Sequence, residues 1–164
     1  MRPRKPKAAA APAPDDPRAA RLAALKLLNR RDYGARELAE RLVARGFART
    51  DAETAISGLA AEKLVDDARF AEHFVAYHAN RGQGPVRIAH RLREAGVAPE
   101  TIAATLDAGS ADWRRRCEQA RRKRFGAGAP ASWAERGRQA RFLSQRGFSA
   151  EQIRAAVGGD MAEE

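Results

Sequence analysis

Leu42-Val43-Ala44-Arg45-Gly46-Phe47 is echoed by Leu92-Arg93-Glu94-Ala95-Gly96-Val97 and again by Leu143-Ser144-Gln145-Arg146-Gly147-Phe148. In each stretch a Gly stands four positions after a Leu and just before an apolar residue. The glycines are 50 and 51 residues apart, which marks an internal repeat filling most of a 164-residue chain. Arrays of short repeats are built to present extended surfaces and seldom enclose a catalytic pocket.

The pattern extends on both sides of these glycines. Gly34 and Gly84 come twelve residues before the first two, and Leu38 and Ile88 eight before. Ala52 and Ile56, Ile102 and Leu106, and Ile153 and Val157 follow the three at six and ten residues. The third copy diverges upstream, where Glu135 and Gln139 replace the glycine and the aliphatic residue. Each copy reads as three short helices with apolar residues at helical spacing. The first has Leu22, Leu25 and Leu28, then Leu38 and Leu42, then Ile56 and Leu59. The second has Phe70, Phe74 and Tyr77, then Ile88 and Leu92, then Ile102 and Leu106. The third has Trp113, Cys117 and Ala120, then Phe142 and Leu143, then Ile153 and Val157.

Punctuation supports the same division. Gly46, Gly96 and Gly147 sit where a helix ends in a left-handed residue, a conformation open to Gly without steric penalty. Thr50 with Glu53, and Ser149 with Gln152, have capping-box spacing. Asp66 or Asp67 suits an N-cap before Phe70, and Pro99 suits a first helical position. No stretch alternates long enough for a strand. The expected fold is all-α: an elongated tandem array of three three-helix repeats over 18–65, 66–109 and 110–158. A disordered basic Pro/Ala arm over 1–17 would precede it, and an acidic tail over 159–164 would follow. Helices this short are marginal alone, so stacking of neighbouring copies must supply the core.

Several function classes lose support at this stage. The basic start of the arm is followed by no apolar segment, so it does not read as a secretory signal. No run approaches the roughly 20 apolar residues of a membrane span. A single cysteine, Cys117, cannot form an intramolecular disulfide and reads as a small core residue of a cytoplasmic protein. His73 and His78 are five apart, off the spacing that puts two ligands on one helix face, and His90 has no Cys partner, so no metal site is expected. The loop Gly82-Gln83-Gly84-Pro85 lacks the Lys-Ser/Thr of a phosphate-binding loop. No serine elbow or activated cysteine is present. The reading is a protein without cofactor and without enzymatic activity.

Charge is the second informative feature. The net charge is +10, and residues 113–146 alone hold 11 Lys/Arg against 2 Asp/Glu, a surplus of +9. The candidate partner-binding or nucleic-acid-binding residues there are Arg114, Arg115, Arg116, Arg121, Arg122, Lys123, Arg124, Arg136, Arg138 and Arg141. The two Arg clusters on the first helix of the third copy are expected to cover much of its solvent side. Arg69, Arg81, Arg87 and Arg91 in the second copy are further candidates. Such density attracts phosphate backbones or an acidic protein groove, although a solvated charged face is the plain alternative.

Residue identities in the second copy carry a family resemblance. Lys63-Leu64-Val65-Asp66-Asp67-Ala68-Arg69-Phe70-Ala71-Glu72, followed by Arg81-Gly82-Gln83-Gly84-Pro85-Val86-Arg87-Ile88 and Leu92 to Val97, resembles the RecX family of bacterial RecA regulators. The likeness extends to Ala24-Leu25-Lys26-Leu27-Leu28, to Arg36-Glu37-Leu38 and on to Phe47, and to Arg141–Phe148 followed by Ile153. It covers about residues 20 to 158. The resemblance implies an elongated, curved molecule that lies in the groove of the RecA–DNA filament; a monomer is the simplest reading of the chain. There it would inhibit ATP turnover and strand exchange, and so modulate homologous recombination, DNA repair and the SOS response. The Pro/Ala arm and the Gly126-Ala127-Gly128-Ala129-Pro130 linker depart from the family core. Two other readings stay open: a helical module that binds single- or double-stranded DNA weakly through its backbone, and a structural scaffold.

Overall fold

The computed structural model describes residues 16–158, so most of the N-terminal arm and the whole acidic tail lie outside the described residues. Among the described residues there are nine helices and no strand. They are α1 (Pro17–Leu28), α2 (Ala35–Val43), α3 (Arg49–Ala61), α4 (Asp67–Asn80), α5 (Pro85–Glu94), α6 (Pro99–Ala108), α7 (Ser110–Phe125), α8 (Trp133–Arg146) and α9 (Ala150–Val157). They fall into two compact units, one ending at Asp66 and the other beginning at Asp67.

The repeated Leu-to-Gly-to-apolar hexamer is a helix terminator. Gly46, Gly96 and Gly147 take φ of +96°, +83° and +88°. The residue after each glycine donates its amide back to the carbonyl of the repeated leucine: Phe47 to Leu42 at 3.3 Å, Val97 to Leu92 at 3.0 Å and Phe148 to Leu143 at 3.2 Å. That bond closes the last turn and carries the apolar side chain inward, where it packs beside the leucine. Both members of each pair are buried. One six-residue pattern thus stops the helix and adds two side chains to the core.

Start signals are mixed. Ser149 and Gln152 form the expected reciprocal capping box, and Pro99 stands in the first turn of α6. Asp66 is the residue immediately before α4. Thr50 and Glu53 form no box, because α3 starts a residue earlier, at Arg49 after Ala48, and Thr50 is already inside its first turn. Asp16 and Pro17 belong to α1 rather than to the arm. The Asp16 carboxylate accepts from the amides of Arg18 (2.9 Å) and Ala19 (3.1 Å), and Pro17 takes the first helical position, where no amide hydrogen is needed.

The first unit closes α1, α2 and α3 around Leu27, Leu38, Leu42, Phe47, Ile56 and Leu59. On α1 the buried stripe is Ala20, Ala24 and Leu27, while Leu22 is exposed. Alanines at the contact allow α1 to pack on Ala52 and Ala55 of α3. Arg21 ties the end of this pair to Glu62 at 2.8 Å.

In the second unit, α4–α6 and α7–α9 share one core. Phe70, Ile88, Leu92, Val97 and Ile102 pack in the same cluster as Trp113, Cys117, Leu143, Phe148 and Val157. Trp113 donates its indole N–H to the Leu106 carbonyl at 3.2 Å. On α4 the inward residue is His78 rather than Tyr77, which is more than half exposed. The two triplets also meet backbone to backbone. The Gly84 amide donates to the Arg146 carbonyl (2.8 Å) and the Val86 amide to the Gly147 carbonyl (3.0 Å). A methyl group on Gly84 would overlap the Gly147 carbonyl, and one on Gly147 would overlap Arg87. The repeat needs a glycine at position 84 because another main chain lies against it. Glu135, the corresponding position of the third copy, instead starts α8, its amide donating to Ser132 Oγ at 3.2 Å and its carboxylate accepting from Ala131 at 2.9 Å.

Candidate functional site

Helix α7 carries half of the chain's surplus charge, and its inward stripe decides which cations reach solvent. Trp113 and Cys117 are buried four residues apart, and the next position on that stripe is Arg121. Arg121 is only 4% exposed, which corrects its expected place on the solvent face. Its guanidinium donates to the Gly128 carbonyl at 2.8 Å and lies 3.4 Å from Gln139 Oε1. Gln139 is buried too, in the place held by an aliphatic residue in the first two copies. The exchange of Ile88's counterpart for an amide matches the arginine opposite, since a buried charge needs hydrogen-bond acceptors. Arg121 therefore anchors the 126–130 linker against α7.

The remaining cations separate into distinct environments. Arg122 pairs with Glu118 at 2.6 Å, Arg115 with Asp112 at 2.8 Å, and Arg138 with Glu135 at 3.7 Å. Exposed pairs of this kind contribute little to stability but neutralise their arginines. Arg114, Lys123, Arg124, Arg136 and Arg141 make no ion pair with a described carboxylate. Arg136 is half-buried, and the other four are exposed. Arg69 is half-buried near the start of α4.

Three of the second-copy arginines are engaged locally. Arg87 reaches from α5 to the Gln145 carbonyl at 3.1 Å, across the glycine junction. Arg91 lies over the Phe74 ring at 5.2 Å and within 3.1 Å of His78 Nδ1. Arg81 covers the Tyr77 ring at 4.5 Å. The His78 ring lies against Phe74, tilted by 51° with ring centres 4.2 Å apart. Burial first, then the charges of Arg91, Arg81 and Arg87, hold its pKa below the ordinary 6.5. The neutral ring can then accept from Arg91. Burial pushes the Cys117 thiol up to about 12, so it stays protonated and inert.

A groove of about 410 Å³ opens where the end of α4 meets α7 and α8. Arg81, Arg116, Lys123, Arg124 and Arg146 line it, with no carboxylate among the lining residues. Ala79, Gly82, Ala120 and Phe142 complete the lining with Asn80 and Gln119. Arg116 is held by Asn80 Oδ1 at 3.0 Å, and Arg146 reaches the Arg81 carbonyl at 3.4 Å while lying over Phe142 at 5.2 Å. Four of these cations were candidates from sequence. Arg146 was not, although it stands directly before the repeated Gly147. Among the described residues no group of three or more His, Cys, Asp or Glu is placed to hold a metal ion. No described helix is long and apolar enough to cross a membrane.

Three family domains match in order along the chain: the first RecX three-helix domain over residues 20–59, the second over 66–106 and the third over 114–157. The chain belongs to the RecX family. Proteins named Regulatory protein RecX include one from Halorhodospira halophila, 49% identical over 139 residues that cover 85% of this chain and 86% of the relative. Another, from Chromohalobacter salexigens, is 42% identical over 82% of this chain and 88% of its own length. The fold is similar to the crystal structure of RecX from Lactobacillus salivarius, with a TM-score of 0.75 at 19% identity over 87% of this chain and 95% of that one. On this division the groove is built by two RecX domains, with Arg81 from the second and Arg116, Lys123, Arg124 and Arg146 from the third.

Proposed function

We propose that this chain is a non-enzymatic cytoplasmic regulator of homologous recombination and DNA repair that binds the RecA–DNA filament and inhibits its ATPase and strand-exchange activities. The succession of three RecX domains over most of the chain carries this reading. The cations of α7 and α8 support it, because a filament of protein on DNA presents phosphates and acidic side chains together, and an unpaired cationic surface is attracted to both. Arg114, Lys123, Arg124 and Arg141, exposed and without an ion pair to a described carboxylate, would make such contacts, whereas Arg121 serves the domain's interior.

The test is the recombinase's DNA-dependent ATPase and strand exchange, measured with increasing amounts of this protein. Both should fall to a plateau at saturation, and Lys123→Glu with Arg124→Glu should raise the concentration needed at least tenfold without lowering the melting temperature. Unchanged ATPase and strand exchange at saturating protein would overturn the proposal. The second reading, backbone-directed DNA binding, is favoured by the same cations. It predicts weak affinity for naked DNA that falls with salt by a log–log slope near −0.9 per neutralised phosphate.

A further inference from the structure

The groove between α4, α7 and α8 holds five cations and no acid, and it is a recess rather than a stripe. Arg116, Lys123 and Arg124 lie along one face of α7, at relative positions i, i+7 and i+8. Arg81 and Arg146 close it from the flanks. Among the described residues only Arg116 of the five has an ion-pair carboxylate, Asp112 at 3.8 Å, the outer limit of such a pair. Several carbonyls at the end of α4 are already engaged. His78 O is engaged by the Arg81 and Gln83 amides, Ala79 O by the Gly82 amide, and Arg81 O by Arg146. Convergent cations in a recess repel one another and raise a focused positive potential that an anion relieves.

The recess selects the kind of anion. Its 410 Å³ lies within the range of small-molecule pockets. A nucleic-acid strand carries one charge per phosphate with a sugar between successive phosphates, so its charge is more dilute than that of phosphates joined through a shared oxygen. Bridged phosphates concentrate several charges and many acceptor oxygens in the same space. Arginine forks suit such oxygens in bidentate geometry, and a flexible lysine completes the set.

We propose that this groove binds an oligophosphate anion, a chain of at least two bridged phosphates either free or esterified to a nucleoside, with Arg81, Arg116, Lys123, Arg124 and Arg146 as its ligands. This goes beyond filament regulation and does not depend on it, because the test uses the full-length protein without recombinase or DNA.

Calorimetric titration with tripolyphosphate, ATP and AMP in phosphate-free buffer tests it. Tripolyphosphate and ATP should bind one per chain and compete with each other, with AMP at least tenfold weaker. Equal affinities for the first two would identify the phosphate chain alone as the determinant, and tighter ATP would add the nucleoside. The double variant Lys123→Glu, Arg124→Glu, both exposed, should weaken tripolyphosphate at least tenfold with an unchanged melting temperature. Reversal of Arg154→Glu, a cation on α9 that does not line the groove, should leave binding unaltered. AMP as tight as ATP, or loss of equal size from Arg154→Glu, would overturn the proposal. So would an oligothymidylate that binds tenfold tighter than tripolyphosphate and is displaced by it, since the strand would then be the ligand.

Discussion

At the scale of single residues, burial assigns different roles to side chains of the same type. Arg121 and Arg124 are three positions apart on α7, yet one is sealed against Gln139 and the other lines an open groove. The sequence contained the signal for Arg121, since it continues the Trp113–Cys117 stripe at i+4. Its charge and the adjacent Arg122-Lys123-Arg124 run pointed the other way, and charge is ordinarily the stronger guide to exposure. Gln139 stood out as a departure from the repeat, but its partner is 18 residues away and became visible only in three dimensions. His78 is another such residue. Its native pKa lies below 6.5, so above pH 6.5 it is neutral whether the chain is folded or not, and the neutral-ring contacts contribute fully. As pH falls below 6.5 the unfolded chain takes up the proton first, and stability is lost until the depressed native value is passed. Denaturant midpoints at pH 7.5 and 5.5 should therefore differ less in His78→Gln than in the parent. An equal pH difference in both would remove His78 from the account.

Among elements, the helix ends were more legible than the helix faces. The left-handed glycines, the Ser149–Gln152 box and Pro99 all follow local rules that need only a few neighbouring residues. Faces depend on partners: α1 buries Ala20 and Ala24 in preference to Leu22, in a cluster to which α3 contributes Ala52 and Ala55. Gly84 is the position where the two kinds of information meet. Sequence marked it as a loop glycine, but its φ of −88° is open to any residue. Space, not conformation, requires glycine there. Gly84→Ala should therefore cost about 1–3 kcal/mol, as overpacking does, read as a loss of denaturation free energy. Gly128→Ala is the control, since a methyl group there meets nothing within 4 Å. Equal stability of the two variants would show that the main-chain contact is not as close as described.

For the whole molecule, the expectation that stacked copies supply the core holds for the second and third repeats and not for the first. The first triplet folds around its own leucines, while the second and third share one cluster of side chains. The repeat spacing gave the number and order of the helices, and nothing in it distinguishes a private core from a shared one. Leu92→Ala probes this distinction, because Leu92 is fully buried in the shared cluster. It should cost roughly 2–5 kcal/mol. Hydrogen exchange should accelerate in α7 to α9 as well as in α4 to α6, and acceleration confined to α4–α6 would mean that the two triplets open independently. The cationic groove was half legible in the same way. Its α7 cations were evident as a charge run, but the recess exists only because Arg81 and Arg146, 65 residues apart, are brought together.

The joint at Gly84 and Gly147 is written in main chain, so it recognises contour and not chemistry. Exposed side chains around it can change charge without touching the two main-chain bonds that seat one triplet on the next. The exposed face of either neighbour can therefore be remodelled for a new ligand, provided that these two positions stay bare and the shared core is kept.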